Sequence, residues 1–174
     1  MIGRAKPRRP SAFEQGPRAF ANHLPAASVV VASFLAVIPL IATHGWWPDF
    51  GLLMLIAWRL QRSDPFPNWY AMPLGLFNDL MCLHPLGLSI VTFTLALTVL
   101  DIMDARKVYG NYLINWIIAA LLITLAEFIQ LWIAAIQDAA MPLPVIIPPI
   151  VISTLFFPIV AFIVAYLDRY RLRK

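Results

Sequence analysis

Charge is scarce in this sequence. Asp, Glu, Lys and Arg make up 13% of the residues, against roughly 25% in a soluble domain. That shortage excludes an ordinary water-facing fold. Cysteine is scarcer still: Cys82 stands alone, so a disulfide within the chain is excluded and the redox compartment stays open. Set among apolar residues, it reads as a small hydrophobe. The three histidines, His23, His44 and His84, lie at the ends of apolar runs without ligand-like spacing, and no metal site or cofactor is expected. No phosphate-binding glycine loop or nucleophile–base motif is visible, which argues against an enzyme.

What is present is apolar. Hydrophobic residues make up 61% of the chain and the mean hydropathy is +0.77, the balance of an integral membrane protein. A net charge of +4 would suggest nucleic acid if the basic residues clustered on a soluble surface. They sit instead at the two ends and in short loops, which is a membrane pattern, so no nucleic-acid partner is expected.

Six apolar runs follow a basic, proline-broken leader, residues 1–23. The first, residues 24–43, has about the 20 residues that cross a bilayer, and Pro39 is placed to kink it. The second, residues 50–60, is short of the roughly 17–25 residues of a full span, with Arg59 expected to snorkel to the interface. The third covers residues 68–83 with Pro73 inside, and the fourth residues 86–103. The fifth, residues 112–136, carries Thr124, Glu127, Gln130 and Gln137 as one polar stripe. The sixth, residues 145–167, contains Pro148, Pro149 and Pro158, tolerable in lipid where neighbours take up the freed carbonyls. The six runs make one helical domain, residues 24–168, followed by a basic tail at 169–174.

Basic residues decide the topology. With six crossings and the N-terminus inside, the leader, two loops and the tail hold five, two, two and four of the 13 Lys and Arg. The outside loops hold none, as the positive-inside rule demands. A re-entrant second run would export basic residues. The expected fold is therefore an all-α polytopic bundle of six transmembrane helices with a short second helix, in contact with membrane lipids and with both ends cytoplasmic. Aromatic residues agree: Trp46, Trp47 and Trp132 fall toward the outside, and Trp58, Trp69, Tyr112, Tyr166 and Tyr170 toward the inside.

The stretch from 67 to 87 carries the polar residues that matter most. Gly75 lies one turn before Asp79, and Cys82 nearly one turn after, so the three share a helix face beside Asn78. A carboxylate at this depth costs several kcal/mol, roughly 2.5–3.5 on insertion scales, unless it faces protein or water. The short turn through Pro85 and Gly87 forces helices three and four to pack antiparallel. Asp79 is therefore expected to accept hydrogen bonds from the fourth helix or from the turn amides. Such a face serves either a partner or substrate, or a buried bond that holds two helices together. Glu127, near mid-membrane with no basic residue at its depth, must be protonated, paired or hydrated.

Two motifs carry a resemblance: Trp47-Pro-Asp-Phe-Gly-Leu-Leu-Met-Leu-Ile-Ala-Trp-Arg, then Gly75-Leu-Phe-Asn-Asp-Leu-Met-Cys-Leu-His-Pro-Leu-Gly87. Over residues 47–100, and more loosely beyond, the chain resembles the MreD family of bacterial rod shape-determining proteins. The resemblance implies a non-enzymatic subunit of the cell-elongation (Rod) complex in the inner, cytoplasmic membrane. Its implied direct neighbour is MreC. The MreB filament, the glycosyltransferase RodA and its class B penicillin-binding protein are further members of the complex, which drives peptidoglycan synthesis and cell shape. The implied partner-binding or buried polar residues are Gly75, Asn78, Asp79, Pro85, Gly87 and Glu127. The family fold is similar to the six-helix S components of energy-coupling-factor vitamin transporters, and a substrate-binding S component is the alternative function.

Overall fold

The computed structural model describes residues 23–37, 47–62, 67–105, 111–137 and 142–172. Residues 1–22 of the leader, Pro39 and its expected kink, Trp46 and the last two tail residues lie outside them. Among the described residues every regular element is helical, and there are six α-helices: α1 (Leu24–Ser33), α2 (Phe50–Gln61), α3 (Ala71–Cys82), α4 (Leu88–Ala105), α5 (Tyr112–Ile136) and α6 (Ile147–Leu172).

Helix α1 is shorter than its apolar run. It gives way at Phe34 to a 3-10 turn, Phe34–Val37. Helix α2 begins where the sequence supplies a cap: the Asp49 side chain accepts from Leu52 N at 3.0 Å, filling one of the orphan donors of the first turn. At 12 residues it is about 18 Å long. Pro73 falls in the first turn of α3, where a missing N–H costs nothing. Helix α6 starts through the 3-10 turn Leu143–Ile146 and runs as helix into the segment read as a tail. Its internal Pro158 cannot donate to the Thr154 carbonyl, and Trp116 Nε1 of α5 takes that acceptor instead at 3.0 Å.

The short α2 is the centre of the bundle. Nine of its 12 residues are buried, and it packs against α1, α4, α5 and α6, while α3 packs on α4 and α1. Its Leu53, Leu55 and Ile56 meet Phe93, Leu97 and Leu100 of α4 and Val164 of α6 in one core. Two sequence expectations change here. Trp58 is not an interfacial aromatic: it is fully buried, and its Nε1 donates to Ser28 Oγ at 2.7 Å, the partner an indole N–H needs in a core. Arg59 does not snorkel either, being only 6% exposed.

Outside the core the pattern is inverted relative to a water-soluble bundle. Leu113, Ile117, Leu121, Phe128 and Trp132 of α5 are exposed, as are Leu155, Ile159, Phe162 and Tyr166 of α6. Among the described residues, 112–136 and 143–170 are the two helical stretches long and apolar enough to cross a membrane.

Candidate functional site

The polar residues gather at the two ends of α2. At the end that carries its N-terminus, Asp79 is 1% exposed. Its Oδ2 accepts from Gly87 N at 2.7 Å and its Oδ1 from Ser89 N at 2.8 Å. The carboxylate of α3 thus caps the first turn of α4, where the helix dipole and unpaired amides favour negative charge. Charge-assisted bonds of this kind are about twice as strong as neutral ones. They offset the desolvation that a buried carboxylate otherwise suffers. The expectation for Asp79 is met from the turn and from α4 together.

Asn78, fully buried, ties four elements together. Its Nδ2 donates to Asp49 Oδ2 at 2.8 Å and to Ser89 Oγ at 3.0 Å. Its Oδ1 accepts from Ser33 Oγ at 2.7 Å, with Cys82 Sγ at 3.8 Å. Both amide hydrogens and both lone pairs are used. A buried network satisfied this fully fixes α1, α2, α3 and α4 in one register.

Two glycines let the backbones come this close. A Cβ on Gly75 would lie 2.6 Å from Ile90 N and 2.7 Å from Ile90 Cα, so α3 and α4 cross in contact at that point. A Cβ on Gly51 would overlap Asn78 Oδ1 and lie 2.6 Å from Ser33 Oγ. The turn between α3 and α4 needs Leu83 at φ 56° and Gly87 at φ 101°, both left-handed. Pro85, exposed in this turn, offers its carbonyl to Leu88 N at 3.1 Å.

At the opposite end of α2, Arg59 forms ion pairs with Asp101 and with Asp104, the latter at 3.0 Å. Asn68 Nδ2 adds a bond to Asp101 Oδ2 at 2.6 Å. Arg62 pairs with Asp168 of α6 at 2.9 Å. The second helix is thus clamped at one end by amide and carboxylate bonds and at the other by ion pairs.

Of the residues singled out in the sequence, Gly75, Asn78, Asp79 and Gly87 meet in one place, with Pro85 in the adjoining turn. Glu127 does not join them. It is half-buried on α5 and makes no hydrogen bond or ion pair with a described residue. Asp49 and Gly51 of the first quoted motif belong to the same framework, with Pro48-Asp49 readable as a helix start, whereas Ser33 and the Arg59 cluster carry little signal in the sequence.

The α3–α4 turn also brings together three donors that sequence spacing kept apart. One ligand atom each from Asp49, Cys82 and His84 lie within 4.8 Å of one another, and all three residues are half-buried. Against protein-family models, curated proteins and solved structures, the chain finds no match.

Proposed function

We propose that this chain is a non-enzymatic integral membrane scaffold of the bacterial cell-elongation complex, of the MreD kind. It binds MreC and helps link MreB filaments inside the cell to peptidoglycan synthesis by RodA and its class B penicillin-binding protein outside. One observation carries the reading: the residues that bear the resemblance, Asp49, Gly51, Gly75, Asn78, Asp79 and Gly87, are the ones that lock α1 to α4 together. They build a rigid body, and the polar atoms of Asn78 and Asp79 are engaged in holding it together. A scaffold needs that rigidity, and preorganisation lowers the entropy lost when a partner docks.

The apolar exterior of α5 and α6 supports a place in the bilayer, since a face of this size in water would aggregate or bind. The distribution of basic residues supports six crossings with both termini in the cytoplasm. In this orientation the Asn78–Asp79 knot lies beneath the outer leaflet and the Arg59 cluster beneath the inner one. The partner's transmembrane helix then packs on a lipid-facing side of the bundle, because the polar knot itself is already saturated.

The test is co-purification from solubilised membranes of the host's MreC with the tagged chain, followed by disulfide or photo-crosslinking from exposed positions on α5 and α6. Capture of MreC with crosslinks confined to one helix face supports the scaffold. Failure to capture MreC, together with normal rod shape in a strain lacking the chain, overturns it. Release of a bound vitamin on denaturation would move the reading to a transporter S component.

A further inference from the structure

We propose that Asp49, Cys82 and His84 form a zinc site at the end of the bundle where α3 turns into α4, a site independent of any role in cell elongation. The three residues come from different places: the N-cap of α2, the last residue of α3 and the turn that follows. Their donor atoms lie within 4.8 Å of one another. Zinc bonds of about 2.0–2.3 Å in a tetrahedron put ligand atoms about 3.5 Å apart, a closure within reach of side-chain rotation.

Two features beyond proximity point to a metal. His84 Nδ1 is shielded from solvent and has no hydrogen-bond partner among the described residues, and an ion gives the imidazole the partner it lacks. Asp49 is also held from behind. Its Oδ1 accepts from Leu52 N at 3.0 Å and its Oδ2 from Asn78 Nδ2 at 2.8 Å, outer bonds of the kind that orient metal ligands. The His84 backbone is pinned in the same way, its N–H donating to the Asp79 carbonyl at 3.0 Å.

Thiolate, imidazole and carboxylate together select a borderline-soft cation over magnesium or calcium, which take oxygen. Cys82 gives up its thiol proton to solvent when it binds. Thiolate and carboxylate then cancel the two positive charges of zinc, which suits an apolar setting. Three protein ligands leave a fourth position for water.

The test uses the full chain in detergent micelles, free of any histidine tag, stripped with chelator and titrated with zinc ion against a chromophoric chelator. The wild type is expected to bind one zinc per chain, and to bind cobalt with a thiolate charge-transfer band in the near ultraviolet. Cys82→Ser keeps the size of the side chain and His84→Gln lies in a turn, so both are expected to fold. Each should weaken zinc binding by about 100-fold or more, at least the loss that follows removal of an outer-shell partner. Zinc should raise the unfolding midpoint of the wild type and leave those of the two variants unmoved. Undiminished zinc affinity in either variant, or cobalt bound without the thiolate band, overturns the site.

Discussion

Gly51 of α2 lies directly beneath the Asn78 amide of α3, with no room between them for a methyl group. Asn78 cannot move aside cheaply, because each of its polar atoms is held. Gly51→Ala is therefore expected to destabilise the fold by about 1–3 kcal/mol, the cost of overpacking a filled core. Gly75→Ala should cost more, since its new methyl would strike the Ile90 backbone, which has no rotamer to change. Thermal unfolding in detergent gives the order, and equal midpoints for Gly75→Ala and wild type would contradict the close crossing.

Asp79→Asn tests the cap on α4. Only one oxygen of the amide can accept, so its NH2 faces either Gly87 N or Ser89 N, both donors. Two donors cannot bond each other, and one buried N–H loses its partner. The expected cost is about 2–3 kcal/mol. Hydrogen exchange should locate it: the Gly87 and Ser89 amides should exchange faster while those in the middle of α5 do not.

Why the contacts of Asp79 were legible and those of Asp49 were not follows from distance along the chain. Gly75, Asp79 and Gly87 lie within one helix–turn–helix, so helical spacing and a short turn are enough to bring them together. Asn78 meets partners 29 and 45 residues away, and no local pattern predicts those pairings. Arg59 was misplaced for the same reason. Its carboxylates lie 42 and 45 residues on, and a short apolar helix ending in Arg looks the same whether the side chain reaches water or turns inward. The metal-ligand trio stayed hidden because only Cys82 and His84 are neighbours in sequence. The length of α5 was plain, because an uninterrupted apolar run needs no tertiary contact to be read.

Arg59→Met removes the cation that Asp101 and Asp104 share. Breaking a buried pair costs about 3–5 kcal/mol, but both aspartates are partly exposed, and solvent screening brings the expected loss down to about 2 kcal/mol. Adding Asp101→Leu to Arg59→Met should recover part of it, because the remaining aspartate is then no longer beside a like charge. A double-mutant cycle measured by unfolding midpoint reads the coupling. Strict additivity would mean that the ion pair does not form.

Leu83 is the place where the sequence can be improved. It ends α3 at φ 56°, ψ 32°, the left-handed conformation that costs a residue with a Cβ about 1–2 kcal/mol, and it is 88% exposed, so its side chain packs against little. Glycine at a helix C-terminus adopts that conformation freely. Part of the gain is lost, because glycine makes the unfolded chain more flexible by about 0.5–1 kcal/mol. Leu83→Gly should therefore stabilise the fold by about 0.5–1 kcal/mol, where most substitutions at a helix end would weaken it. The gain should vanish in Leu83→Ala, which loses the same side chain but keeps the Cβ and its strain. A higher unfolding midpoint for Leu83→Gly than for Leu83→Ala would isolate the backbone term, and equal midpoints would show that this turn does not hold the left-handed geometry on which the Asp79 cap depends.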